Sequence, residues 1–510
     1  MAGEPDTRAG APGRGAVAVV GTGTMGAGIA QLAAVAGHRV LLADADPAAA
    51  RRAVSAIRDR AGALVAKGRL DLDPEALDLT VAAVAGLGDC EYVVEAIAED
   101  LGAKRRLFAE LEQVVAPSCV LASNTSSLSP TALAAGLRHP GRVVGLHFFN
   151  PAPVMRLVEL VCGLATAPAV ADRAAALARG WGKTVVRSAA TPGFIVNRIA
   201  RPYYAEAWRL HEEHGIEPAV IDAVLTGAGG FRLGPFALMD LIGHDVNEAV
   251  TRSVWTAFGC DPRFTPSLAQ RALVDAGWLG RKTGRGCYRY DGAAGPPAAA
   301  PAPPRDPPAQ VVTHGTSPLR ALLARTAVPV RAGRDSGGAE LPGGAVELPG
   351  GAVLLRCTGQ SATALSAAAG RPVIVVDRAL DDATATAVAV AACDGCPAPA
   401  VAQAAGLFQA AGLAVFVIDD APGLIVTRTV AMLANLAADA LARRVATAGD
   451  IDAAMRLGTG YPQGPLAWAG RWGTGTVLAV LDALEDSYRD GHYRASPLLR
   501  RRALAGQPLA

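Results

Sequence analysis

The 510-residue sequence has almost no net charge, because 48 Lys and Arg residues nearly balance 46 Asp and Glu residues and leave +2 at pH 7. This balance gives no electrostatic reason to expect nucleic acid or an anionic membrane surface as a partner. The sequence also lacks a secretory pattern, since residues 1–15 are polar and rich in Gly and Pro. We expect these residues to be disordered and the protein to be cytoplasmic.

Paired cysteines and long membrane-type runs are scarce as well. Of eight scattered cysteines, only Cys393 and Cys396 form a CxxC pair, and no further ligands lie nearby to complete a zinc site. Such scatter is typical of reduced thiols, so no metal site is expected. Residues 16–37 carry no charge and are long enough to span a bilayer. Their clustered glycines favour a strand, a turn and a helix instead, so we expect no membrane segment.

What the sequence does have is a regular alternation of apolar runs and helical segments. The chain is too long for one core, so several domains are expected. Alternation over residues 16–190 predicts an α/β domain with a Rossmann-type, doubly wound and mainly parallel sheet. The predicted strands are 16–20, 38–44, 92–97, 119–123, 142–149, 157–161 and 183–187. Residues 191–290 read as an all-helical domain for substrate binding or dimerisation.

The second half repeats part of this plan. Residues 291–350 are rich in Ala, Pro and Gly and are predicted to be a linker. Strand-like runs within 351–420 then predict a reduced Rossmann-like domain. APGLIVTR (421–428) echoes TPGFIVNR (191–198), and a Gly-Pro motif recurs at the same offset of 230 residues. Residues 421–510 are therefore predicted to be a second helical domain.

A glycine-rich turn after the first predicted strand indicates a dinucleotide site. In Gly21-Thr22-Gly23-Thr24-Met25-Gly26, the glycines suit a tight turn, close approach of a pyrophosphate and close helix–strand packing. The next helix N-terminus offers its amides to the phosphates. Asp44 ends the following strand, where it could bind ribose hydroxyls and repel a 2′-phosphate. NAD is therefore predicted; NADP stays open because of Arg51 and Arg52, and FAD is the other competitor.

A histidine and an acidic residue stand out in neighbouring apolar runs. His147 ends one predicted strand, at the edge where ligands bind in such sheets, and could act as a general base. Glu159 lies in LVELV, where a carboxylate needs a partner, so a His–Glu pair is expected. Ser126 follows another strand in a turn-like sequence and could bind a substrate oxygen. His211 and His214 are interpreted as a solvated helix face rather than a metal site.

Several of these segments, taken in order, resemble the 3-hydroxyacyl-CoA dehydrogenase family over about residues 16–290. The segments are GTGTMGAGIAQ, VVEAIAED, ASNTSSL, GLHFFNPAPVMRLVEL, TPGFIVNRI and LGRKTGRGCYRY. The reduced C-terminal copy further resembles bacterial 3-hydroxybutyryl-CoA and 3-hydroxyadipyl-CoA dehydrogenases with duplicated helical domains.

The resemblance implies roles for individual residues. It implies His147 as the base, Glu159 as its orienting acid, and Ser126 and Asn197 as polar groups around the reacting oxygen. It implies that the NAD site is lined by Glu99, Lys104, Asn150 and Lys282. Lys67 falls where the family places a lysine against the CoA phosphates, although a solvated lysine is an equal alternative. Arg156 stands where the family often has Lys, at a position expected on the surface.

The resemblance therefore implies reversible oxidation of an (S)-3-hydroxyacyl-CoA to a 3-oxoacyl-CoA with NAD, in fatty acid β-oxidation or phenylacetate catabolism. The alternatives are a dehydrogenase of a free hydroxy acid or sugar acid and an inactive nucleotide-binding protein. The sequence leaves open the acyl chain length and any tail carboxylate.

We expect one active site per chain, because the second half lacks the glycine loop, the HFFNP segment and a counterpart of the buried Glu. Residues 421–510 are expected to pack against 191–290 as an internal pseudo-dimer, and further homo-oligomerisation stays open.

Overall fold

The computed structural model describes residues 14–290, 292, 297–333 and 344–509. Residues 1–13 of the segment expected to be disordered lie outside the described residues. The chain forms two compact units: one runs to Val196 and includes Arg444–Gly458, and the other comprises Asn197–Arg443 and Thr459–Ala510. Within the described part of the chain, no helix has the length and apolar character needed to cross a membrane.

The first unit is built on an eight-stranded sheet in the order β3-β2-β1-β4-β5-β6-β7-β8. All pairings are parallel except that of β6 with β7, which is antiparallel. Every strand predicted over 16–190 is present, so the Rossmann-type prediction is confirmed, and one short strand, β3, was missed. The strands are β1 (Arg14–Val20), β2 (His38–Ala43), β3 (Leu79–Val81), β4 (Tyr92–Glu95), β5 (Val120–Ser123), β6 (Val143–Phe148), β7 (Leu157–Cys162) and β8 (Thr184–Ala189).

Helices cover both faces of this sheet, and two apolar clusters form the core on its two sides. Acidic residues start two of the helices, since Asp46 Oδ1 accepts a hydrogen bond from the amide of Ala48 and Asp100 Oδ1 from that of Ala103. The helices are α1 (Thr24–Val35), α2 (Pro47–Ala66), α3 (Leu101–Val114), α4 (Pro130–Ala134), α5 (Pro168–Gly180) and, as the chain leaves the unit, α6 (Val196–Ile199).

The second unit contains a seven-stranded sheet in the order β10-β9-β11-β12-β13-β14-β15. Its strands are β9 (Val311–Thr313), β10 (Val330–Ala332), β11 (Val346–Glu347), β12 (Val353–Arg356), β13 (Val373–Val376), β14 (Ala387–Ala392) and β15 (Ala414–Ile418). The sheet is packed by α12 (Arg320–Leu323), α13 (Ala362–Ala369) and α14 (Ala398–Ala410). Part of the predicted linker thus belongs to this domain, because Val311, Leu322 and Val346 are buried in its core. Residues 334–343 of that linker lie outside the description.

Helices make up the rest of the second unit, as predicted for 191–290. From the first helical region come α7 (Arg201–His214), α8 (Pro218–Gly227), α9 (Pro235–Ile242), α10 (His244–Ala257) and α11 (Leu268–Asp275). From the second come α15 (Val426–Ala442), α17 (Pro465–Trp472), α18 (Thr474–Tyr488) and α19 (Pro497–Leu504).

One helix of the second helical region, α16 (Ala448–Gly458), belongs to the first unit. It packs there against β7 and β8, and the amide of Ala189 donates to the carbonyl of Val445 over 2.7 Å. The sequence repeat therefore does not coincide with the structural units.

Candidate active site

The loop between β1 and α1 has the geometry of a phosphate cradle. Gly21 has φ +93°, and a Cβ there would lie 2.7 Å from the backbone carbon of Ala96. A Cβ on Gly26 would lie 1.8 Å from the carbonyl oxygen of Gly21, whereas a Cβ on Gly23 would meet nothing within 4 Å. Gly23 also precedes the first turn of α1 and has no side chain to cap its amides. The loop therefore leaves open space beside free N–H groups, which fits the pyrophosphate of a dinucleotide.

Asp44 lies directly after β2 and binds this loop. Its Oδ2 accepts hydrogen bonds from the amide and the hydroxyl of Thr22, each over 2.7 Å. Partial burial favours the neutral acid, but the bonds from Thr22 and from the amide of Asp46 hold the pKa of Asp44 below its usual value. The side chain is thus a carboxylate at neutral pH, suited to ribose hydroxyls and unfavourable for a 2′-phosphate.

A buried lysine is held between two carboxylates next to this loop. The Nζ of Lys104, which is 1% exposed, lies 2.5 Å from Glu95 Oε1 and 3.3 Å from Glu99 Oε2. Glu95 Oε2 accepts the hydroxyl of Ser123 over 2.6 Å, which links the ends of β4 and β5. Sequence reasoning missed Glu95 and Ser123, although an acid in the apolar run YVVEAI is the same signal that singled out Glu159.

Glu99 orders the turn that carries Ser126. Its Oε1 accepts the amides of Ser126 and Ser127, each over 3.0 Å, and the hydroxyl of Thr125 over 2.6 Å. Burial raises the pKa of Glu99, but these bonds and nearby Lys104 outweigh it and leave the pKa below the usual range. Ser126 therefore follows β5 on a turn whose backbone is fixed by an anion.

His147 and Glu159 lie directly opposite each other on the antiparallel strands β6 and β7. Nδ1 of His147 is 2.7 Å from Glu159 Oε2, and the two residues are 6% and 0% exposed. The other oxygen of Glu159 accepts the amides of Ile195 and Val196 over 3.0 and 2.9 Å. An ionised carboxylate can only accept hydrogen bonds, so the Nδ1 that contacts Glu159 carries a proton. The other ring nitrogen, Nε2, is then left to accept one.

Neighbouring groups hold the imidazole in place. The rings of Phe149 and Phe194 lie 4.4 and 5.9 Å from that of His147, measured between centroids. The amide of Phe148 donates to Asn124 Oδ1 over 2.9 Å, which joins the loop after β5 to the end of β6. Asn150 follows β6 and precedes a cis peptide bond to Pro151. The glycine loop, Ser126, His147 and Asn150 thus all lie at or near the carboxyl ends of the parallel strands β1, β5 and β6, where such sheets bind ligands.

The remaining predicted residues lie elsewhere in the fold. Lys67 is an exposed residue at the C-terminus of α2. Asn197 is the first residue of the second unit, in α6. Lys282, also in the second unit, pairs with Asp245, with Nζ 2.5 Å from Oδ1. His211 and His214, interpreted from the sequence as part of a solvated helix face, are half-buried; His214 pairs with Asp419 over 2.7 Å and His211 with the carbonyl of Ile216 over 3.0 Å.

Among the described residues, Asp240, His244 and Cys287 have potential ligand atoms within 4.8 Å of one another. Both oxygens of Asp240 are already occupied by four donors: His244 Nε2, the amides of Cys287 and Tyr288, and the hydroxyl of Tyr290. We interpret this cluster as a structural hydrogen-bond network that closes the end of the first helical region.

Taken together, a dinucleotide loop with a ribose-type acid and a buried His–carboxylate pair on the same sheet edge define an NAD-dependent dehydrogenase. Family models agree with this class. The NAD-binding domain of 3-hydroxyacyl-CoA dehydrogenase matches residues 16–191, and the C-terminal domain of the same family matches twice, at 193–290 and 423–508. The reduced Rossmann-fold domain of 3-hydroxybutyryl-CoA dehydrogenase matches residues 354–422.

Individual relatives extend this likeness over the whole chain. A 3-hydroxyadipyl-CoA dehydrogenase from Escherichia coli is 43% identical over 96% of this chain and 97% of its own length. A crystal structure of an Escherichia coli 3-hydroxybutyryl-CoA dehydrogenase, 42% identical, covers 96% of this chain and 98% of that one with a TM-score of 0.87. A probable 3-hydroxybutyryl-CoA dehydrogenase from Bacillus subtilis is 39% identical over 54% of this chain and 97% of its own length. The chain belongs to the 3-hydroxyacyl-CoA dehydrogenase family.

Proposed function

We propose that this NAD-dependent dehydrogenase oxidises a short (S)-3-hydroxyacyl-CoA, either 3-hydroxybutyryl-CoA or 3-hydroxyadipyl-CoA, reversibly to its 3-oxo form. The observation that carries the proposal is the buried His147–Glu159 pair, which leaves one imidazole nitrogen ready to take a hydroxyl proton. The names of the relatives that span nearly the whole chain support the choice of these two substrates.

In this proposal His147 Nε2 removes the proton of the 3-hydroxyl as the hydride leaves the same carbon. Glu159 orients the ring and stabilises the imidazolium that forms. Ser126 and Asn197 bind the reacting oxygen, and Ser126 and Lys67 bind the substrate. Bound NAD supplies the hydride acceptor. The NAD site comprises the loop Gly21, Thr22, Gly23, Thr24, Met25 and Gly26 with Asp44, Glu99, Lys104, Asn150 and Lys282.

Initial rates of NADH formation test this proposal. We expect turnover of 3-hydroxybutyryl-CoA and 3-hydroxyadipyl-CoA, weaker turnover of a long-chain 3-hydroxyacyl-CoA, and none of the free 3-hydroxy acids. Turnover of a free hydroxy acid or sugar acid at a rate equal to that of its thioester would favour the other candidate dehydrogenase. Absence of turnover on every thioester, despite NAD binding, would favour an inactive nucleotide-binding protein.

We also propose that the two helical regions form an internal pseudo-dimer. Support comes from contacts inside the second unit, where α7 packs on α15 and buried Arg198 pairs with Asp439 over 2.6 Å. Glu206 of α7 is fully buried and accepts His492 Nε2 over 2.7 Å and the hydroxyl of Tyr493 over 2.8 Å. Truncation after residue 295 should therefore expose apolar and charged surface and cause aggregation or dimerisation, measured by light scattering. A monomeric, fully active fragment would overturn the idea.

The proposed setting is the cytoplasm, in fatty acid β-oxidation or phenylacetate catabolism. Support for a β-oxidation role comes from mitochondrial hydroxyacyl-coenzyme A dehydrogenases such as that of Sus scrofa, 37% identical over 54% of this chain. Growth of a strain that lacks the protein, on butyrate and on phenylacetate, distinguishes the two pathways. Normal growth on both carbon sources would remove both assignments.

A further inference from the structure

A cavity of about 410 Å³ lies along one face of α7 in the second unit. Arg201, Tyr204 and Trp208 line it from α7, at the three- and four-residue spacing that places side chains on one helix face. Thr251 of α10 and Gln270 of α11 line the other side. The cavity is large enough for a short organic chain, and its walls combine aromatic rings with a few polar groups.

Arg201 is the unusual member of this lining. It is 4% exposed, its Nε donates to the carbonyl of Asn197 over 2.8 Å, and its Nη1 donates to Thr251 Oγ1 over 2.9 Å. Its guanidinium also lies 4.9 Å from the ring centre of Tyr204. Burial lowers the pKa of Arg201, and every one of these neighbours is neutral. A buried cation is costly without an anion to compensate it.

The other buried arginines are stabilised by carboxylates. Five of the six arginines buried in the described residues have a carboxylate within ion-pair distance: Arg142, Arg198, Arg263, Arg356 and Arg428. Arg201 is the sixth, and it takes part in none of the ion pairs among the described residues. The guanidinium of Arg201 therefore borders the cavity without forming an ion pair with any described carboxylate.

The acids that also line the cavity have other partners than Arg201. Glu213 and Asp490 both pair with Arg209, over 2.9 and 2.7 Å. Glu212 accepts the amide of Ala269 over 2.9 Å. Arg209 follows Arg201 by two helical turns, about 12 Å along α7. The Arg201 end of the cavity thus has a cation that forms no ion pair, whereas the distant end carries three acids, Glu212, Glu213 and Asp490, against Arg209. A carboxylate ligand is therefore attracted to the Arg201 end and repelled from the distant end.

We propose that Arg201 is a carboxylate-binding residue that selects substrates with a negatively charged tail. A guanidinium suits a carboxylate because it can donate two parallel hydrogen bonds. The inference rests on the proposed function and narrows it to an ω-carboxylated 3-hydroxyacyl-CoA, of which 3-hydroxyadipyl-CoA is the shortest considered above. Arg201 follows Asn197, one of the proposed substrate-contacting residues, by a single helical turn, and binds its carbonyl. A free small carboxylate has the same chemistry and is the other source of such a ligand.

The test compares three substrates on the wild-type enzyme and its variants: 3-hydroxyadipyl-CoA, its ω-methyl ester and 3-hydroxybutyryl-CoA. The wild type should show kcat/KM for the acid roughly 10- to 100-fold above that for the ester, the range that a charge-assisted hydrogen bond supplies. Arg201→Met should abolish this preference and change kcat/KM for 3-hydroxybutyryl-CoA less than about threefold. Arg209→Met, on the same cavity face but paired with acids, is the matched control and should keep the preference.

The outcomes separate this inference from the proposed function. Equal kcat/KM for acid and ester in the wild type overturns the tail-carboxylate role even where 3-hydroxybutyryl-CoA is oxidised, and it needs no variant to fold. Lack of turnover on any thioester instead defeats the proposed function itself. Adipate that raises the melting temperature of the wild type but not of Arg201→Met, without any acid–ester preference, would assign the carboxylate site to a free ligand.

Discussion

The two halves of the chain stabilise the same turn with a buried carboxylate that comes from different strands. In the first half, Glu159 on β7 accepts the amides of Ile195 and Val196. In the second half, Asp377 follows β13 and accepts the amides of the equivalent Ile425 and Val426, over 3.0 and 2.7 Å. The expectation that the second half has no counterpart of the buried Glu is therefore wrong for the structural role of that acid.

The difference lies in what binds the second carboxylate oxygen. In Glu159 that oxygen holds His147, whereas in Asp377 it accepts the amide and the hydroxyl of Thr427 over 3.0 and 2.7 Å. Phe194 and Leu424, one residue before the capped amides, share the same left-handed φ of +48°. Both halves share the capped turn, so the cap belongs to the fold. Only the first half adds a histidine to the cap, and it is this His147–Glu159 pair that we propose to be catalytic.

Removing the histidine should have the largest effect. His147→Gln should lower kcat by on the order of 10²–10⁴, because the proton acceptor is lost. NAD affinity should hardly change, since the loop at Gly21 is untouched. Steady-state rates and calorimetric NAD binding measure the two quantities. Thr427→Val, at the corresponding cap of the second half, is the control and should keep wild-type kcat; a near-normal kcat in His147→Gln would remove His147 from the mechanism.

Changing the two carboxylates should separate catalysis from stability. Glu159→Gln should lower kcat by roughly 10- to 10³-fold, somewhat less than loss of the base. Asp377→Asn should leave kcat unchanged. Both variants should lower the free energy of unfolding, measured in urea, by about 1–3 kcal/mol, because buried amides lose a charged acceptor. An equal fall of kcat in the two variants would mean that the second cap also supports the chemistry.

The cofactor loop gives a smaller effect and marks a region that the second half does not repeat. Asp44→Ala should reduce the preference for NAD over NADP by roughly 10- to 100-fold. The substitution removes one carboxylate, which is expected both to bind the ribose hydroxyls of NAD and to repel the 2′-phosphate of NADP. The kcat/KM ratio for the two cofactors measures this preference. The wild type should bind one NAD per chain, so two equivalents, or equal use of both cofactors, would contradict the assignment.

Local patterns predicted the first sheet, the glycine loop and the His147–Glu159 pair, because each depends on residues within one strand or turn. They did not predict Asp377, since its role depends on which strand reaches the turn at Ile425. Nor did they predict that Val311 and Val346 complete a sheet, because Ala-, Pro- and Gly-rich composition hides short strands whose partners are distant in sequence. Strand order and helix placement depend on contacts between distant parts of the chain, so the sequence repeat at an offset of 230 residues predicts neither.

The helix α16 breaks the correspondence between halves most directly, because it comes from the second copy but packs on β7 and β8 of the first unit. A Cβ on Gly458, its last residue, would lie 2.7 Å from Leu157 Cδ2, 3.1 Å from Val196 Cγ2 and 3.7 Å from Phe149 Cε1. Phe149 in turn packs on the ring of His147. A larger side chain at Gly458 should therefore displace groups that hold the His147–Glu159 pair.

Gly458→Leu should destabilise the protein by about 1–3 kcal/mol, the usual cost of overpacking a closed contact. It should also lower kcat several-fold, because displacement of Phe149 or Val196 changes the orientation of His147 and Glu159, while KM for NAD stays near normal. Gly449→Leu is the matched control, since Gly449 lies in the same helix and a Cβ there meets nothing within 4 Å. If both variants show the same kcat and the same urea midpoint, α16 is only a surface element. If Gly458→Leu alone is impaired, the second copy supports the active site of the first.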